Sequence, residues 1–598
     1  MELILTNPIL AINVLLIVGA FGIYNIARSR VELIRRWALY LSLSALGIGV
    51  LSCLSFNQSM VGFQFLWKLD VNFLNNLTFT LGADGLTMIF LLLTLFVFPI
   101  CFAAAWSVTH EIRAFYLYLL AMEVLLVVTF TTLDLFYFYV FFESLLIPMF
   151  ILIGVWGARE RKIKAAYLFF LYTLFGSLIM LFGVLYLYLI TGSTNYFILL
   201  NTALEPEQQR LIWLCFFMAF AVKMPLFPFH IWLPEAHVEA PTVGSMLLAS
   251  LLLKLGGYGF LRFSLTLLQE GSLYFSAIVS ALALLGVVYG SLATIRQIDL
   301  KRIIAYSSVA HMNLVMLGLF SNNQQGIEGA IYLMVGHGVV SAALFFCVGV
   351  LYDRYHSRLL RYYGGLVTVM PIFSFFLFSF TLANMSFPGT SNFLGELLLF
   401  LGVYANNSTI LIFSTAGIVL SAVYSVWLYN RVAFGTLKTT YISRFTEANR
   451  RETVILCFLL VAMIIIGVTA DFILNFLHLP VMQLVGNTLL LSPQLKKLES
   501  KKTRTLRNES SEFILCVAYV IAIAAVWTVS GAMVYYQMLE TKAAVEGVLE
   551  AVETVINGSA TAAHTATSVT ELPEPWLTEG QWQIVAAVGA FVALFMVF

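Results

Sequence analysis

Apolar residues run along most of this chain in stretches long enough to cross a membrane. A transmembrane helix needs about 20 mostly apolar residues. Fourteen spans are predicted near 8–26, 37–55, 86–107, 114–132, 135–156, 166–191, 211–233, 242–267, 274–293, 302–320, 329–350, 371–404, 409–430 and 453–475. A transmembrane β-barrel would instead show alternating segments of roughly 10 residues. The pattern therefore predicts an all-α polytopic membrane protein with 14 core helices.

Composition narrows the class of protein. The 598 residues are 61% hydrophobic and only 11% charged, whereas soluble domains carry about 25% charged residues. The first apolar stretch lacks a basic leader, so it is predicted to be a span and not a cleaved signal. No CxxC, GxGxxG or GxxxxGK[ST] motif occurs, and the net charge is +1. The sequence therefore predicts no iron–sulfur cluster, no nucleotide site and no nucleic-acid partner.

Basic residues are distributed unequally between alternate loops. The odd-numbered loops carry 20 and the even-numbered loops carry 3, which are Lys68, Arg210 and Arg262, the last counted with the loop that follows the eighth span. Lysine and arginine accumulate on the negative side of a membrane. The bias supports the span count and places the odd loops on the cytoplasmic or matrix side.

Two of the predicted spans are interrupted. Lys223 sits in an apolar run and is followed by Pro225 and Pro228, and the second interruption is the segment NMSFPG at 384–389. Proline removes a backbone donor and frees carbonyls about one turn away, and freed backbone at membrane depth must be satisfied by protein or water. Paired broken helices five spans apart are typical of transporter sites. They suggest repeats formed by spans four to eight and nine to thirteen.

Ionisable side chains lie inside or beside the predicted spans. They are Glu123, Glu143, Lys223, Lys254 and Glu396, together with His230, His237, His311 and His337. One charge at the bilayer centre costs about 2.5–3.5 kcal/mol on insertion scales. Burial favours neutral carboxylates and amines, pairing favours their charged forms, and imidazole titrates at about pH 6.5. The set predicts a buried Glu/Lys/His proton relay.

Structural interpretations of the same residues remain open from the sequence. They are a static ion pair for Glu143 and Lys223, a permanently protonated acid for Glu123, a packed histidine for His337, and interfacial side chains for His230 and His237. Lys254 is different, because it lies mid-span with no acid four residues away. The spacing of the histidines at 230 and 237 does not resemble a zinc site, so no metal is expected.

Four long motifs carry a resemblance to a known family. They are FYVFFESLLIPMFILIGVWG, AVKMPLFPFHIWLPEAHVEAPTVGSMLLASLLLKLGGYGFLRF, RQIDLKRIIAYSSVAHMNLV and LANMSFPGTSNFLGE. These motifs resemble chain 4 of NADH:ubiquinone oxidoreductase, respiratory complex I, over about residues 80 to 475. The resemblance implies an antiporter-like subunit of the proton-pumping membrane arm. It also implies two inverted five-helix repeats with broken helices seven and twelve.

The resemblance assigns roles to individual residues by motif. It implies that Glu143 of helix five pairs with Lys223 of helix seven. Lys254 is then the central lysine of helix eight, and Glu396 is the terminal group of helix twelve, where the sister chains 2 and 5 usually have lysine. The histidines of YSSVAHMN and VGHGVV match a polar central axis. Glu123 matches a further acid of helix four.

The resemblance also implies the setting of the chain. FMN, iron–sulfur clusters and ubiquinone are expected in other subunits, so no cofactor is expected in this chain. The expected function is proton translocation coupled to quinone reduction elsewhere in the complex, as a non-redox subunit of a proton-translocating NADH:ubiquinone reductase. Expected partners are other membrane-arm subunits, especially chains 2 and 5, the lipid bilayer and protons. The expected location is the mitochondrial inner membrane, with a bacterial plasma membrane as the alternative.

Two rival functions fit the same residues. A subunit of a cation/proton antiporter of the related multisubunit family would depend on sodium or potassium. An inert spacer of the membrane arm would tolerate neutral replacement of Lys254.

Five regions are predicted along the chain. They are the N-terminal helices at 1–113, a first antiporter-like repeat at 114–267, a second repeat at 268–430, a last core helix with its preceding loop at 431–485, and a C-terminal extension at 486–598. The extension begins with a basic run and contains apolar stretches at 513–536 and 582–598. Neither stretch holds an ionisable group deep inside it, so no role in proton transfer is predicted there.

Overall fold

The computed structural model describes residues 7–60, 62–70, 78–438, 441–442 and 445–502, with side chains described up to residue 486. The predicted apolar stretches at 513–536 and 582–598 lie outside the described residues. The predicted boundary at 485/486 falls within a helix, Asp471–Lys502. The five-region division remains a prediction.

Helices dominate the described chain, and 12 of them are long and apolar enough to cross a membrane. These are α1 Pro8–Asn25, α2 Val31–Ser55, α3 Gly85–Ser107, α4 Ile112–Thr131, α5 Leu135–Trp156, α6 Lys162–Thr191, α10 Thr242–Leu267, α11 Gln269–Arg296, α12 Leu300–Leu319, α13 Gln324–Tyr355, α17 Ser408–Ala433 and α18 Arg450–Val468. The others are α7 Tyr196–Asn201, α8 Pro206–Lys223, α9 Trp232–Glu239, α14 Leu366–Val369, α15 Pro371–Asn384, α16 Ser391–Asn406 and α19 Asp471–Lys502. The polytopic helical class is confirmed, and the count of fourteen spans remains a prediction.

The two predicted interruptions are present, and the first begins at Lys223, within the predicted segment 223–228. The seventh span was predicted to continue to residue 233, whereas α8 ends at Lys223 and helix resumes only at Trp232. The prolines that follow Lys223 cannot continue the helical hydrogen bonds, so the break begins at the lysine itself. The second interruption separates α15 from α16 between Asn384 and Ser391.

A small β-hairpin was not predicted. Strands β1 Gln64–Asp70 and β2 Thr78–Ala83 pair antiparallel in the even loop before α3. Aromatic and β-branched residues, such as Trp67, Phe79 and Thr80, favour strands. A search for spans of 20 apolar residues misses strands of seven and six residues.

The centre of the bundle is formed by α10 and α13, whose most apolar windows are entirely buried. Glycines let helices approach this centre closely. A side chain at Gly395 of α16 would have its Cβ 2.7 Å from the Leu333 nitrogen of α13. The LGGYGF cluster plays the same part in α10, where Gly256 lies against Phe220 and Met224 at the broken end of α8.

This contact gives a test of the packing. In Gly256→Ala, the added Cβ would lie 2.8 Å from the Phe220 carbonyl oxygen and 2.9 Å from the Met224 nitrogen. Overpacking of this kind typically costs about 1–3 kcal/mol, so we expect less assembled protein and a lower melting temperature. The matched control is Gly47→Ala in α2, where a Cβ meets nothing within 4 Å. Equal behaviour of the two variants would contradict the close packing.

Candidate functional site: a buried chain of ionisable groups

Lys254 lies in a short α-helical stretch of α10 between two turns that depart from α-helical hydrogen bonding. π-Helical turns span Leu248–Leu252 and Phe260–Ser264 on either side of it, and such turns are often found at functional sites. The Lys254 Nζ lies 2.5 Å from the carbonyl oxygen of Ala249 and 2.9 Å from Nδ1 of His337. Because Lys254 is fully buried, its amine protons meet protein acceptors.

The chain of contacts continues from Lys254 toward α16. Nε2 of His337 lies 3.2 Å from the Ser308 hydroxyl, and the rings of His337 and His311 are 5.5 Å apart. Nδ1 of His311 lies 3.2 Å from a carboxylate oxygen of Glu396. Their mutual orientation does not form a hydrogen bond, so this is a close charge contact. Helices α10, α13, α12 and α16 thus place four predicted residues next to one another in a row, in the order Lys254, His337, His311 and Glu396.

Glu143 and Lys223 are neighbours, but they are not in contact. The Lys223 Nζ lies 4.9 Å from the centre of the Phe142 ring, and it interacts electrostatically with the Glu143 carboxylate. Among the described residues, neither side chain has a hydrogen-bond partner, and no ion pair within 4.0 Å joins them. The predicted ion pair remains a prediction, because the two described side chains interact electrostatically without an ion-pair contact.

The interrupted end of α8 is satisfied by protein side chains. The indole nitrogen of Trp232 donates to the carbonyl oxygen of Val222 over 2.9 Å. The amide of Asn313 donates to the carbonyl oxygen of Pro225 over 3.2 Å. Two carbonyls at the break therefore have protein partners, from α9 and α12.

The auxiliary residues are distributed unequally around this chain of contacts. His237 stacks on Phe345 with ring centres 4.7 Å apart and interacts electrostatically with Lys254. His230 packs at the break against Phe227, with ring centres 5.7 Å apart. Both oxygens of Glu123 on α4 are buried without a hydrogen-bond partner in the described chain. No described contact joins Glu123 or His230 to the chain from Lys254 to Glu396.

Several charges that the sequence placed in loops are buried. Arg262 forms a 2.6 Å ion pair with Asp84 at the end of α10, and its guanidinium faces Tyr196 and Phe63. Burial alone would raise the pKa of the Asp84 carboxyl, but Arg262 holds that pKa below its ordinary value. The pair anchors the C-terminal end of the helix that carries Lys254.

A second missed cluster lies at the negative-side ends of α9, α12 and α13. Lys301 donates to the Ala240 carbonyl over 2.8 Å, and Arg358 lies 3.7 Å from Glu239 and 3.6 Å from Asp299. One signal was available in the sequence. The residues at 301, 308 and 311 are spaced by seven and three, which places them on one helical face.

Polar side chains also lie beyond Glu396. Ser291, Ser421 and Tyr424 line a small crevice that the Glu396 carboxylate shares with His311. The Tyr424 hydroxyl has no hydrogen-bond partner among the described residues. Within those residues, no group of three His, Cys, Asp or Glu side chains is arranged to hold a metal.

Comparison with known proteins identifies the family of the chain. Residues 132–423 match the family described as "NADH:quinone oxidoreductase/Mrp antiporter, TM". NADH-ubiquinone oxidoreductase chain 4 of Marchantia polymorpha is 50% identical over 470 residues, which cover 78% of this chain and 95% of the relative. The chain 4 protein of Chondrus crispus is 47% identical over 479 residues, covering 80% and 97%.

Solved structures show the same fold. A chain of respiratory complex I from Thermus thermophilus with bound NADH is 28% identical, with a TM-score of 0.73, covering 80% of this chain and 99% of that one. A chain of the Mrp complex from Dietzia sp. DQ12-45-1b has a TM-score of 0.68 at 17% identity, covering 79% and 97%. The second likeness concerns the fold alone.

The broken helices and these similarities define an antiporter-like membrane subunit. Within that class, the chain belongs to the NADH-ubiquinone oxidoreductase chain 4 family. The related curated proteins are eukaryotic, and the described chain has 12 helices able to cross a membrane. The chain is therefore a multi-pass protein of the mitochondrial inner membrane.

Proposed function

We propose that this chain translocates protons as a membrane-arm subunit of NADH:ubiquinone oxidoreductase, driven by quinone reduction in other subunits. The observation that carries the proposal is the buried sequence of neighbours Lys254, His337, His311 and Glu396. A fully buried lysine that contacts an imidazole can pass its proton to that ring, and no counter-ion has to move. We propose no redox role for the chain itself, with FMN, iron–sulfur clusters and ubiquinone held by other subunits.

The proposed cycle begins at the Glu143–Lys223 pair. A charge change in a neighbouring subunit moves the Glu143 carboxylate toward or away from Lys223. A lysine that loses its counter-charge holds its proton less firmly, so opening the pair drives a proton toward Lys254. Closing the pair then resets Lys223 for the next proton.

Proton passage through the central residues follows from their contacts. The Lys254 ammonium donates to Nδ1 of His337 over 2.9 Å, and His337 releases the proton on its Nε2 side, which faces Ser308. His311 receives it and passes it to Glu396, 3.2 Å away. Glu396 then releases it toward the positive side, and Lys254 is reprotonated from Lys223.

The neighbours in the complex are proposals of the same kind. We propose the chain 2 and chain 5 subunits as the principal partners, on the strength of the family membership and the resemblance of the sequence motifs. Lipid-facing helices such as α17 and α18 are mostly unburied within the chain, which leaves surfaces for neighbouring subunits or lipid.

The experiment that tests the function separates proton pumping from cation/proton exchange. We expect NADH-driven acidification across sealed inner-membrane vesicles to be unchanged when sodium and potassium are replaced by choline. The reason is that the relay consists of proton-binding groups, two of them lysines that repel metal cations. A large fall in acidification that is restored by sodium or potassium, at constant NADH oxidation, would instead favour the antiporter function.

A further inference from the structure

A pocket with cationic side chains in its wall lies outside the proposed relay, where α17 ends on the side predicted to be negative. The pocket has a volume of about 340 Å³, and its walls include Trp427, Asn430, Arg431, Thr436 and Lys438. It is formed by the turn after α17 and the segment before α14, which are joined by a 3.0 Å hydrogen bond from the Gly365 nitrogen to the Phe434 carbonyl. Both of these segments belong to basic odd-numbered loops.

The pocket carries positive charge that no acid among the described residues neutralises. The Lys438 ammonium is held by the carbonyl oxygen of Arg361 at 3.0 Å, which leaves its other protons for a ligand. Arg431 is exposed. Within the described ranges, neither Arg431 nor Lys438 forms an ion pair with an acidic side chain. An anion in the pocket would therefore meet two free cationic groups.

The backbone of the pocket is also open to a ligand. Gly435 has a φ of +94°, and a Cβ at this position would meet nothing within 4 Å. Glycine in such a conformation lets a ligand approach the chain closely. The turn therefore leaves room for a ligand to approach the backbone beside Arg431 and Lys438.

An apolar ridge leads from the pocket into the membrane. Val419, Val423 and Val426 are spaced by four and three along α17 and are 65%, 49% and 54% exposed. Trp427 lies between this ridge and Arg431 along the chain, and indole rings commonly mark the membrane interface. Along the chain, the apolar ridge is followed by the indole ring and then by the cations. This order matches a phospholipid, in which the acyl chains are followed by the glycerol and then by the phosphate.

We propose that this pocket binds the phosphodiester headgroup of an anionic phospholipid, whose acyl chains lie along the α17 ridge. Basic pockets between transmembrane helices on the matrix or cytoplasmic side suit anionic lipid headgroups. Free phosphate would use the cations but not the ridge. A zwitterionic lipid would use the ridge but would bring its own positive charge to the cations.

The test uses the intact purified complex and a phosphatidylglycerol probe with a photoreactive group beside its headgroup. Peptide mass spectrometry after illumination should place the label within residues 427–438. The double variant Arg431→Gln/Lys438→Gln should weaken labelling at this segment roughly 30-fold. The matched control Arg28→Gln/Arg30→Gln removes the same charge from exposed residues of another odd loop and should label as the wild type does.

Competition identifies the ligand. Unlabelled phosphatidylglycerol should displace the probe, whereas phosphatidylcholine and inorganic phosphate should not. Displacement by inorganic phosphate would show a simple anion site, and displacement by phosphatidylcholine would show an apolar site. Labelling that is unchanged in the double variant, or absent from residues 427–438 in the wild type, would overturn the proposal. NADH:quinone turnover and proton pumping, measured on the same preparations, report separately on the proposed function.

Discussion

Replacing Lys254 by alanine is expected to lower coupled NADH:quinone turnover and proton pumping by on the order of 100-fold. The ammonium is the fully buried donor that contacts His337 at 2.9 Å, and alanine leaves no group to carry a proton between Lys223 and His337. The measurement is made in the native complex. Assembly is confirmed first, and NADH oxidation and acidification of sealed vesicles are then recorded together.

Two control variants separate proton transfer from structure. Lys254→Arg keeps the positive charge and several donors, but arginine does not deprotonate in proteins, so we expect pumping to collapse in this variant as well. Ser250→Ala removes a buried hydroxyl one turn away that bonds only to the Met246 carbonyl, and it should pump normally. If Lys254→Ala assembles and its pumping per NADH is unchanged, the relay is wrong at its centre and the spacer function takes its place.

The sequence could predict the members of this site because their signal is local. A lysine within an apolar run, such as Lys254, costs free energy, so a purely structural role does not readily explain it. The two prolines after Lys223 predict a break in the helix whatever that helix packs against. The resemblance of the motifs added the order of the residues along the path. Family membership and the helical class are confirmed, whereas the role of each residue remains a prediction.

The contacts between these residues could not be predicted, because they depend on how separate helices pack. His311 and His337 are 26 positions apart in the sequence, and only the crossing of α12 and α13 brings their rings to 5.5 Å. The same limit explains Lys301 and Arg358. They follow loop-like patterns, yet the ends of three helices enclose them, and a charge count cannot distinguish an enclosed helix end from an exposed loop.

The end of α8 shows a second limit. Hydropathy continues through the residues after Lys223, so a search for apolar runs extends the span to residue 233. The backbone obeys a different constraint, because Pro225 and Pro228 cannot donate helical hydrogen bonds. Local backbone chemistry therefore decides where the helix ends. The side chains of Trp232 and Asn313 donate hydrogen bonds to carbonyl oxygens at that end.

Replacing Glu396 by glutamine is expected to reduce proton pumping by about 100-fold or more while the complex still assembles. Glutamine has nearly the same shape as glutamate but cannot accept and release a proton. In the structure, the Glu396 carboxylate is the last ionisable group of the chain of contacts and lies 3.2 Å from His311. The variant therefore leaves the packing of α16 in place and removes the step by which protons leave His311.

The matched control is Glu328→Gln. Glu328 is also a largely buried glutamate with a histidine partner, His478, at 3.2 Å, but it lies at the positive-side end of α13, away from the relay. The Glu328→Gln variant should therefore pump normally, and equal losses in the two variants would mean that any buried glutamate–histidine contact is needed for structure.

A double-mutant cycle between Glu396→Gln and His311→Asn then decides whether the two residues act in one path. If they do, the double variant should be no worse than the more damaged single variant, because a path blocked at one step loses nothing further when the next step is removed. Losses that multiply would place Glu396 and His311 on separate routes, and the charge contact between them would then be a packing contact.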